Sequence, residues 1–508
     1  MSESKQLTIN MLANLSYMAI NYFITFFLTS YIVSNISGEA YGFIGLCNNI
    51  INYATLLTVS LNSVAGRFIT IEIHKGNSKK ANEYFSSTLA ANIILAIIII
   101  VIILPISINL DSIFKIPDNL IIDVKRLFII TSFNLIVSVF STVFTVSTFI
   151  TNKLYLSSIA NLFGIIIRAS VLYVFFNTLL PNITYVGLAS LIGTLIVWGI
   201  NILYSKKLCP YLSLKKTDIL FKRTKELFVS GIWSTVTKLS QILSDGMDLL
   251  FSNLWIGSYA MGQLSIAYTL PTFVSQFLSM IINLFSPKLT ENYAKNNIEI
   301  IINELHLNMK MTGFFGNVVF FGITFMGKDF FKLWVPDANL NLVFSLALIA
   351  SSSVLVSSVC SPLSNVFLLV NKLKVNSLIW LIAGIFDAGI VVLLVNFTQL
   401  GVYAVAGVSK FVAIIIYLSF WPLYTSKYLK VKSTIFYRLI IRYAFVSIVM
   451  GIVLGITKQF FLLSENWGDF LTQSITLGIV GIVINYFLFL EHDDRVYLKN
   501  VIMKRLKK

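Results

Sequence analysis

Charge is scarce in this chain, and cysteine scarcer still. Asp, Glu, Lys and Arg make up 12% of the 508 residues, against about 25% in soluble domains, and they gather in short linkers between apolar runs. No polar linker reaches even about forty residues, the length below which a domain seldom folds without staples, so no separate soluble domain is expected. Cys47, Cys209 and Cys360 stand far apart, two in predicted spans and one in a predicted cytoplasmic loop, which argues against a disulfide framework and a clustered metal site. His74, His306 and His492 are as scattered and read as solvated loop residues. Gly322 to Asp329 has the glycine and lysine spacing of a phosphate-binding loop. Asp329, however, stands where the magnesium-binding Ser or Thr belongs, and the stretch ends an apolar helix instead of joining a strand to a helix. No other nucleotide motif is present, so no cofactor is expected. The outer loops are too short for the catalytic residues of a membrane glycosyltransferase or polymerase, so no enzymatic activity is expected.

What is abundant is apolar surface: 57% of residues are hydrophobic and the mean hydropathy is +0.84. The runs are long enough to cross about 30 Å of hydrocarbon as helices, and none alternates with period two as barrel strands do. The expected fold is all-α and polytopic, with about 14 transmembrane helices. Their centres fall roughly at residues 20, 55, 98, 138, 168, 194, 242, 272, 319, 355, 386, 412, 449 and 479. The first run, from Leu7 to Ser34, has no small-residue cleavage site and is expected to stay as the first span.

The formal charge of +16 is unevenly placed: 29 Lys and Arg fall on one side of this topology, 6 on the other and 3 within spans. The richer side is expected to be cytoplasmic, and with it both termini. Topogenesis and attraction to anionic lipid account for the charge without a nucleic-acid partner. The densest linker holds Lys206, Lys207, Lys215, Lys216, Lys222, Arg223 and Lys225, either a partner site or, as we prefer, a solvated linker touching lipid.

Gly38, Pro117-Asp118 and Asn152-Lys153-Leu154 recur as Gly257, Pro336-Asp337 and Asn371-Lys372-Leu373, each 219 residues later. The chain thus reads as two parallel six-helix repeats plus an extra C-terminal helix pair, a geometry that points to a transporter. The expected organisation is an N-lobe over 1–205 (spans one to six), a basic cytoplasmic linker over 206–226, a C-lobe over 227–426 (spans seven to twelve), and spans 13 and 14 with a basic cytoplasmic tail over 427–508.

Charged side chains at bilayer depth cost about 2.5–3.5 kcal/mol each on insertion scales and therefore face a cavity or one another. At 100° per residue, Ser234, Lys238, Gln241, Asp245, Asp248 and Ser252 of span seven form one polar stripe. Asp245 and Asp248 are candidates for a proton or sodium site and Lys238 for an anion contact; the plainer alternative is mutual neutralisation that pins helix packing. Asn10, Asn14, Tyr17, Asn21 and Thr25 on span one, and Asn48, Asn52, Thr55 and Asn62 on span two, form uncharged stripes. Amides suit sugar hydroxyls or headgroups, and they equally glue membrane helices together. Arg168 and Asp387 are 219 residues apart, opposite charges at equivalent positions, and Lys410 is a further intramembrane cation. Arg168 suits a diphosphate contact or a salt bridge between helices. Arg67 closes span two either as a snorkelling anchor or as a gate residue.

Asn14 and Asn21, the Gly38-Glu39-Ala40-Tyr41-Gly42 turn, the Ala65-Gly66-Arg67 end of span two, Lys79-Lys80 and Asn152-Lys153-Leu154 resemble the polysaccharide repeat-unit flippases of the multidrug/oligosaccharidyl-lipid/polysaccharide exporter superfamily. The resemblance implies two lobes around a central cavity and alternating access. Its implied cargo is a polyprenyl-diphosphate-linked oligosaccharide, for capsule, O-antigen or teichoic acid, moved from the inner to the outer leaflet of a bacterial plasma membrane. H⁺ or Na⁺ as coupling ion, membrane lipids and other polymer-assembly proteins complete the expected partners. Substrate-binding candidates are then Asn14, Asn21, Asn48, Asn52, Arg67, Arg168, Lys238, Gln241 and Lys410, with Asp245, Asp248 and Asp387 for ion coupling. Asp245, Asp248 and Asp387 balance Arg168, Lys238 and Lys410, which departs from a purely cationic channel. The alternatives are an ion-coupled multidrug exporter, against which the last helix pair counts, and a peptidoglycan-precursor flippase.

Overall fold

The computed structural model describes residues 3–295, 297–370, 373–492 and 494–495. Among them regular structure is helical throughout. The first repeat comprises α1 (Glu3–Asn35), α2 (Gly38–Ala54), α3 (Leu56–His74), α4 (Ser78–Ile108), α5 (Leu110–Ile113), α6 (Ile121–Phe144), α7 (Val146–Ile150), α8 (Leu154–Thr178) and α9 (Ile183–Leu208). The second comprises α10 (Phe221–Gln241), α11 (Asp248–Phe251), α12 (Ser258–Ala267), α13 (Thr269–Ala294), α14 (Ile298–Trp334), α15 (Leu340–Cys360), α16 (Ser364–Leu369), α17 (Leu373–Phe397) and α18 (Val402–Leu429). The pair α19 (Thr434–Lys458) and α20 (Trp467–Ile484) closes the chain.

The duplication is visible in the helix ends. Helices α8 and α17 begin at Leu154 and Leu373 and end at Thr178 and Phe397, 219 residues apart at both ends. Helices α6 and α15 start at Ile121 and Leu340, and α9 and α18 at Ile183 and Val402, again 219 apart. Polar caps punctuate the apolar rods: the side chains of Ser37, Asn77, Asn182, Asn339 and Asn466 each accept from a first-turn backbone N–H of the helix that follows.

Thirteen segments among the described residues are long and apolar enough to cross a membrane, as a multi-pass membrane protein requires. The fourteenth expected rod is span seven, where π-turns at Ile242–Gly246 and Ser252–Ile256 interrupt the winding between α10, α11 and the Gly257 turn. A wider turn shifts the phase of every residue beyond it, so the stripe drawn at 100° per residue does not persist as one face. Gln241 is exposed, Lys238 half-buried, and Asp248 and Ser252 are buried.

By backbone contacts the chain divides into two compact units, Met1–Gly262 with Trp380–Ile382 and Gln263–Ile379 with Ala383–Lys508. In the first, α9 packs on α6 and α8, and α10 lies along α3 and α4. The linker expected to be solvated is docked there. Asn82 bonds Asp218 and accepts from Ser213 N at 2.8 Å, Ser87 accepts from Leu220 N at 2.9 Å, and Arg223 reaches Glu83 at 2.9 Å and Glu226 at 3.1 Å. Its lysines stay exposed.

In the second unit the C-terminal pair is pinned to α14 at both ends. Lys458 Nζ donates to Asp329 at 2.7 Å and to Gln473 at 3.1 Å, with Phe321, Met326, Met450, Leu454 and Leu477 packed beside them. Asp329 of the discounted glycine-lysine stretch is thus a structural partner inside a helix. At the other end Lys310 is buried in α14 between Glu491 and Asp494, each at 2.7 Å, and Arg442 meets Glu491 at 2.8 Å. His306 is no loop residue: it sits one helical turn before Lys310 on the same face of α14, edge-on to Phe436.

Candidate functional site

Helices α1, α2, α6, α8 and α9 of the first unit enclose a cavity of about 460 Å³. Beside apolar Ile44, Leu127, Ile165, Val186 and Val197, its wall carries many polar side chains, in a stretch of chain otherwise built for lipid. Residues Thr131, Asn134, Ser138, Thr142 and Thr145 of span four recur every three or four positions and so share one helical face, which turns to the cavity. Asn48 and Tyr17 close one side, Asn161 and Arg168 come from α8, and Ser190, Thr194 and Asn201 come from α9. Among the described residues, Arg168 is the one charged side chain in this lining.

The close approach of α8 and α9 explains how the guanidinium is held. Gly164 and Gly193 face each other so tightly that a Cβ at Gly193 would lie 2.7 Å from the Gly164 carbonyl and 3.4 Å from Arg168 Cβ. Only glycine fits, and the two helices clamp the base of the Arg168 side chain.

The hydrogen bonds give the wall its chemical character. Thr131, Ser138, Thr142, Thr145, Ser190 and Thr194 each donate their hydroxyl hydrogen to a backbone carbonyl three or four residues back, at 2.7 to 3.0 Å. Such hydroxyls have only lone pairs left to offer. Asn201, 2% exposed, donates to Ser141 Oγ at 3.0 Å, and its Oδ1 has no hydrogen-bond partner. Asn134 Oδ1 and Arg168 Nε are also buried without one. The cavity therefore presents many acceptors and one charged donor, which suits a ligand carrying hydroxyls and a negative group.

Of the residues singled out from sequence, Tyr17, Asn48 and Arg168 meet at this cavity. Asn10 of the same α1 stripe is structural: its amide donates to the carbonyl and side chain of Asn152, both at 2.9 Å, and accepts from Tyr155 N at 3.1 Å. Asn14 is exposed, and Asn21 accepts from Thr25 at 3.4 Å. Asn52 accepts from Thr55 through its backbone carbonyl at 2.6 Å, whereas Asn62 forms a reciprocal amide pair with Asn92 at 3.1 and 3.0 Å. Arg67, like Gln241, is exposed, and neither lines the cavity. The Asp245 side chain lies outside the described residues, as do Asn371 and Lys372 of the second turn motif. Asp248 is buried in the single turn α11; next to it, Gly246 O is freed by the π-turn and accepts from Asn49 at 3.2 Å and from Tyr53.

The second unit carries charges of its own in its apolar helices. Asp387 of α17 is 2% exposed, and Lys410 of α18 lies over the Tyr268 ring at 5.5 Å. Apolar cavities flank the C-terminal pair. One of about 470 Å³ lies among Phe321, Leu355, Val359, Leu418, Ile440 and Ile448, and another of about 250 Å³ among Met326, Phe330, Leu454, Phe470 and Leu477.

The fold these features sit in is that of multidrug/oligosaccharidyl-lipid/polysaccharide superfamily transporters. An inward-facing multidrug resistance MATE transporter superposes with a TM-score of 0.68 at 12% identity, covering 83% of this chain and 98% of its own. The lipid II flippase MurJ, in an inward closed conformation, gives 0.66 at 15% identity, with 97% and 100% covered. Coverage of that extent leaves no room to omit α19 and α20. A transporter of the same superfamily from Pyrococcus furiosus, whose binding pocket is described as reversed in polarity, gives 0.63 at 13%, with 84% and 95% covered. In sequence, the uncharacterized membrane protein EpsK of Bacillus subtilis (strain 168) is 26% identical over 501 residues, 99% of this chain and 98% of its own length. No family model matches the chain.

Proposed function

We propose that the protein is a flippase that moves a polyprenyl-diphosphate-linked oligosaccharide from the inner to the outer leaflet of a bacterial plasma membrane, by alternating access and without covalent chemistry. The observation that carries this reading is the cavity around Arg168, with its amide and hydroxyl lining and its single guanidinium. A lipophilic drug would meet there an array of acceptors it cannot satisfy, and a sugar fits them. The apolar cavities beside α19 and α20 are surfaces that a polyprenyl chain can cover. Capsule, O-antigen and teichoic acid units are the cargo classes this chemistry serves. Asp248 and Asp387, as buried carboxylates, are the sites at which H⁺ or Na⁺ would couple to transport, and the basic face is placed in the cytoplasm together with both termini.

A second reading is a peptidoglycan-precursor flippase, favoured by the MurJ likeness that extends through the C-terminal pair. Proteoliposomes separate the two. The full chain is expected to bring short-chain polyprenyl-diphosphate oligosaccharides to the outer leaflet, where a membrane-impermeant glycosidase reaches them. Transport of lipid II alone favours the second reading. Rates equal to protein-free vesicles for every lipid-linked glycan would refute both.

A further inference from the structure

The duplication makes it possible to separate what the fold demands of the cavity wall from what a ligand demands. Helices α6, α8 and α9 have counterparts α15, α17 and α18 in register, so a residue needed to pack this architecture should recur 219 positions on. Ser138 and Ser190 do recur, as Ser357 and Ser409. The amides do not: Asn134, Asn161 and Asn201 correspond to Ser353, Trp380 and Phe420, and Arg168 to Asp387. The three amides and the guanidinium are therefore additions to the scaffold of the first repeat. They are also where its bonding is incomplete, at Asn134 Oδ1, Asn201 Oδ1 and Arg168 Nε.

Charge matching narrows the ligand. One guanidinium with no carboxylate among the described lining residues calls for one negative charge. A neutral sugar leaves the cation uncompensated in a low-dielectric interior, and a diphosphate brings more negative charge than the wall can match. The acceptor oxygens of Asn134 and Asn201, with the lone pairs of Thr131, Ser190 and Thr194, call for hydroxyl donors around that charge. A volume of about 460 Å³ falls in the range of about 300–1,000 Å³ for small-molecule sites. Resting on the flippase reading above, we infer that this cavity is a selectivity site for an acidic sugar of the cargo. Arg168 grips its carboxylate, and Asn134 and Asn201 accept from the hydroxyls beside it.

Two arms test this. In the first, the detergent-solubilised full chain is melted with methyl glucuronide, methyl glucoside or inorganic pyrophosphate. Methyl glucuronide is expected to raise the melting temperature, the other two are not, and the rise is lost in Arg168→Gln. Asn201→Asp, which sets a carboxylate against the ligand, abolishes the rise as well and keeps the test decisive if Arg168→Gln does not fold. An equal rise with the glucoside, or a rise with pyrophosphate alone, overturns the inference, the latter assigning the site to the lipid diphosphate. In the second arm, proteoliposomes receive two lipid-linked glycans that differ only by glucuronate in place of glucose. Wild type is expected to prefer the acidic one by about tenfold to a hundredfold, the range of one charge-assisted contact. Equal transport of both overturns the inference and leaves the flippase reading standing. Transport of neither removes the flippase reading, and the melting arm then decides whether the cavity binds an acidic sugar.

Discussion

The two repeats share a skeleton and differ in lining. Helices α8 and α17 match end for end, yet one carries Arg168 into a polar cavity and the other carries a buried Asp387. Across the same pair Asn161 gives way to Trp380, and on the following helix Asn201 gives way to Phe420. Helix α14 differs in the reverse sense: Lys310 and Asp329, which bind the C-terminal pair, correspond to Ala91 and Leu110 in the first repeat, which has no such pair to hold. The polar residues that the repeats do not share thus fall at different places in each. The unshared polar residues of the first repeat line a cavity, and those of the second include a buried Asp387 and the residues that dock two additional helices.

The comparison breaks most sharply if the first repeat is given the second's charge. Arg168→Asp is expected to lower translocation of the preferred lipid-linked glycan by about a thousandfold, since disrupting a buried charge pairing costs about 3–5 kcal/mol. Transport assays in proteoliposomes, with size-exclusion profiles to confirm folding, measure it. Next is the docking of the C-terminal pair. Lys458→Ala leaves Asp329, 2% exposed, without its cation and is expected to destabilise the chain by about 3 kcal/mol, whereas Lys458→Met with Asp329→Leu recovers most of the loss. Chemical denaturation in detergent distinguishes the single from the double variant. A single variant as stable as wild type would show that apolar packing alone holds α19 and α20.

A milder change makes the first repeat's wall resemble the second's. Asn161→Trp with Asn201→Phe fills the cavity with apolar surface and is expected to slow glycan transport by about tenfold, with about 1–3 kcal/mol lost in stability. Unchanged transport would mean that the wall's amides serve packing after all. The smallest effect lies where the linker joins α10. Glu226 accepts from Tyr84 at 2.6 Å and from Arg223 at 3.1 Å, and these bonds hold its carboxyl below the ordinary 4.5. A depressed carboxylate contributes stability that is complete above the unfolded value and is lost as pH falls through the folded one. The melting temperature, followed from about pH 7 to about pH 3, is expected to fall less steeply in Glu226→Gln than in wild type.

Much of this was legible in the amino-acid order. Long apolar runs and the constant offset of 219 are properties of sequence, and helices in a membrane have few alternatives, so the element order follows directly. Arg168 and Asn48 also stand out, because charge and amides are rare at bilayer depth. Other features were hidden for physical reasons. The face Thr131, Asn134, Ser138, Thr142 and Thr145 is periodic, but hydroxyls in membrane helices usually bond back to their own helix, so the pattern alone does not mark a cavity. The stripe on span seven is broken by π-turns, which leave no signature in hydropathy. Asn10 has the same composition cue as Asn48, yet its amide fastens the Asn152 turn; only contacts across 142 residues tell the two apart. Lys310 and His306 lie in a basic, loop-like stretch that α14 absorbs because its partners Glu491 and Asp494 come from the far end of the chain.

The central claim is that cargo selection by charge belongs to the first repeat and not to its counterpart. One measurement addresses it directly: the ratio of transport rates for acidic and neutral lipid-linked glycans, in proteoliposomes of wild type, Arg168→Gln and Asp387→Asn. The account predicts a ratio near unity in Arg168→Gln and a wild-type ratio in Asp387→Asn, even if the latter is slower overall. A ratio that survives in Arg168→Gln and collapses in Asp387→Asn would contradict it.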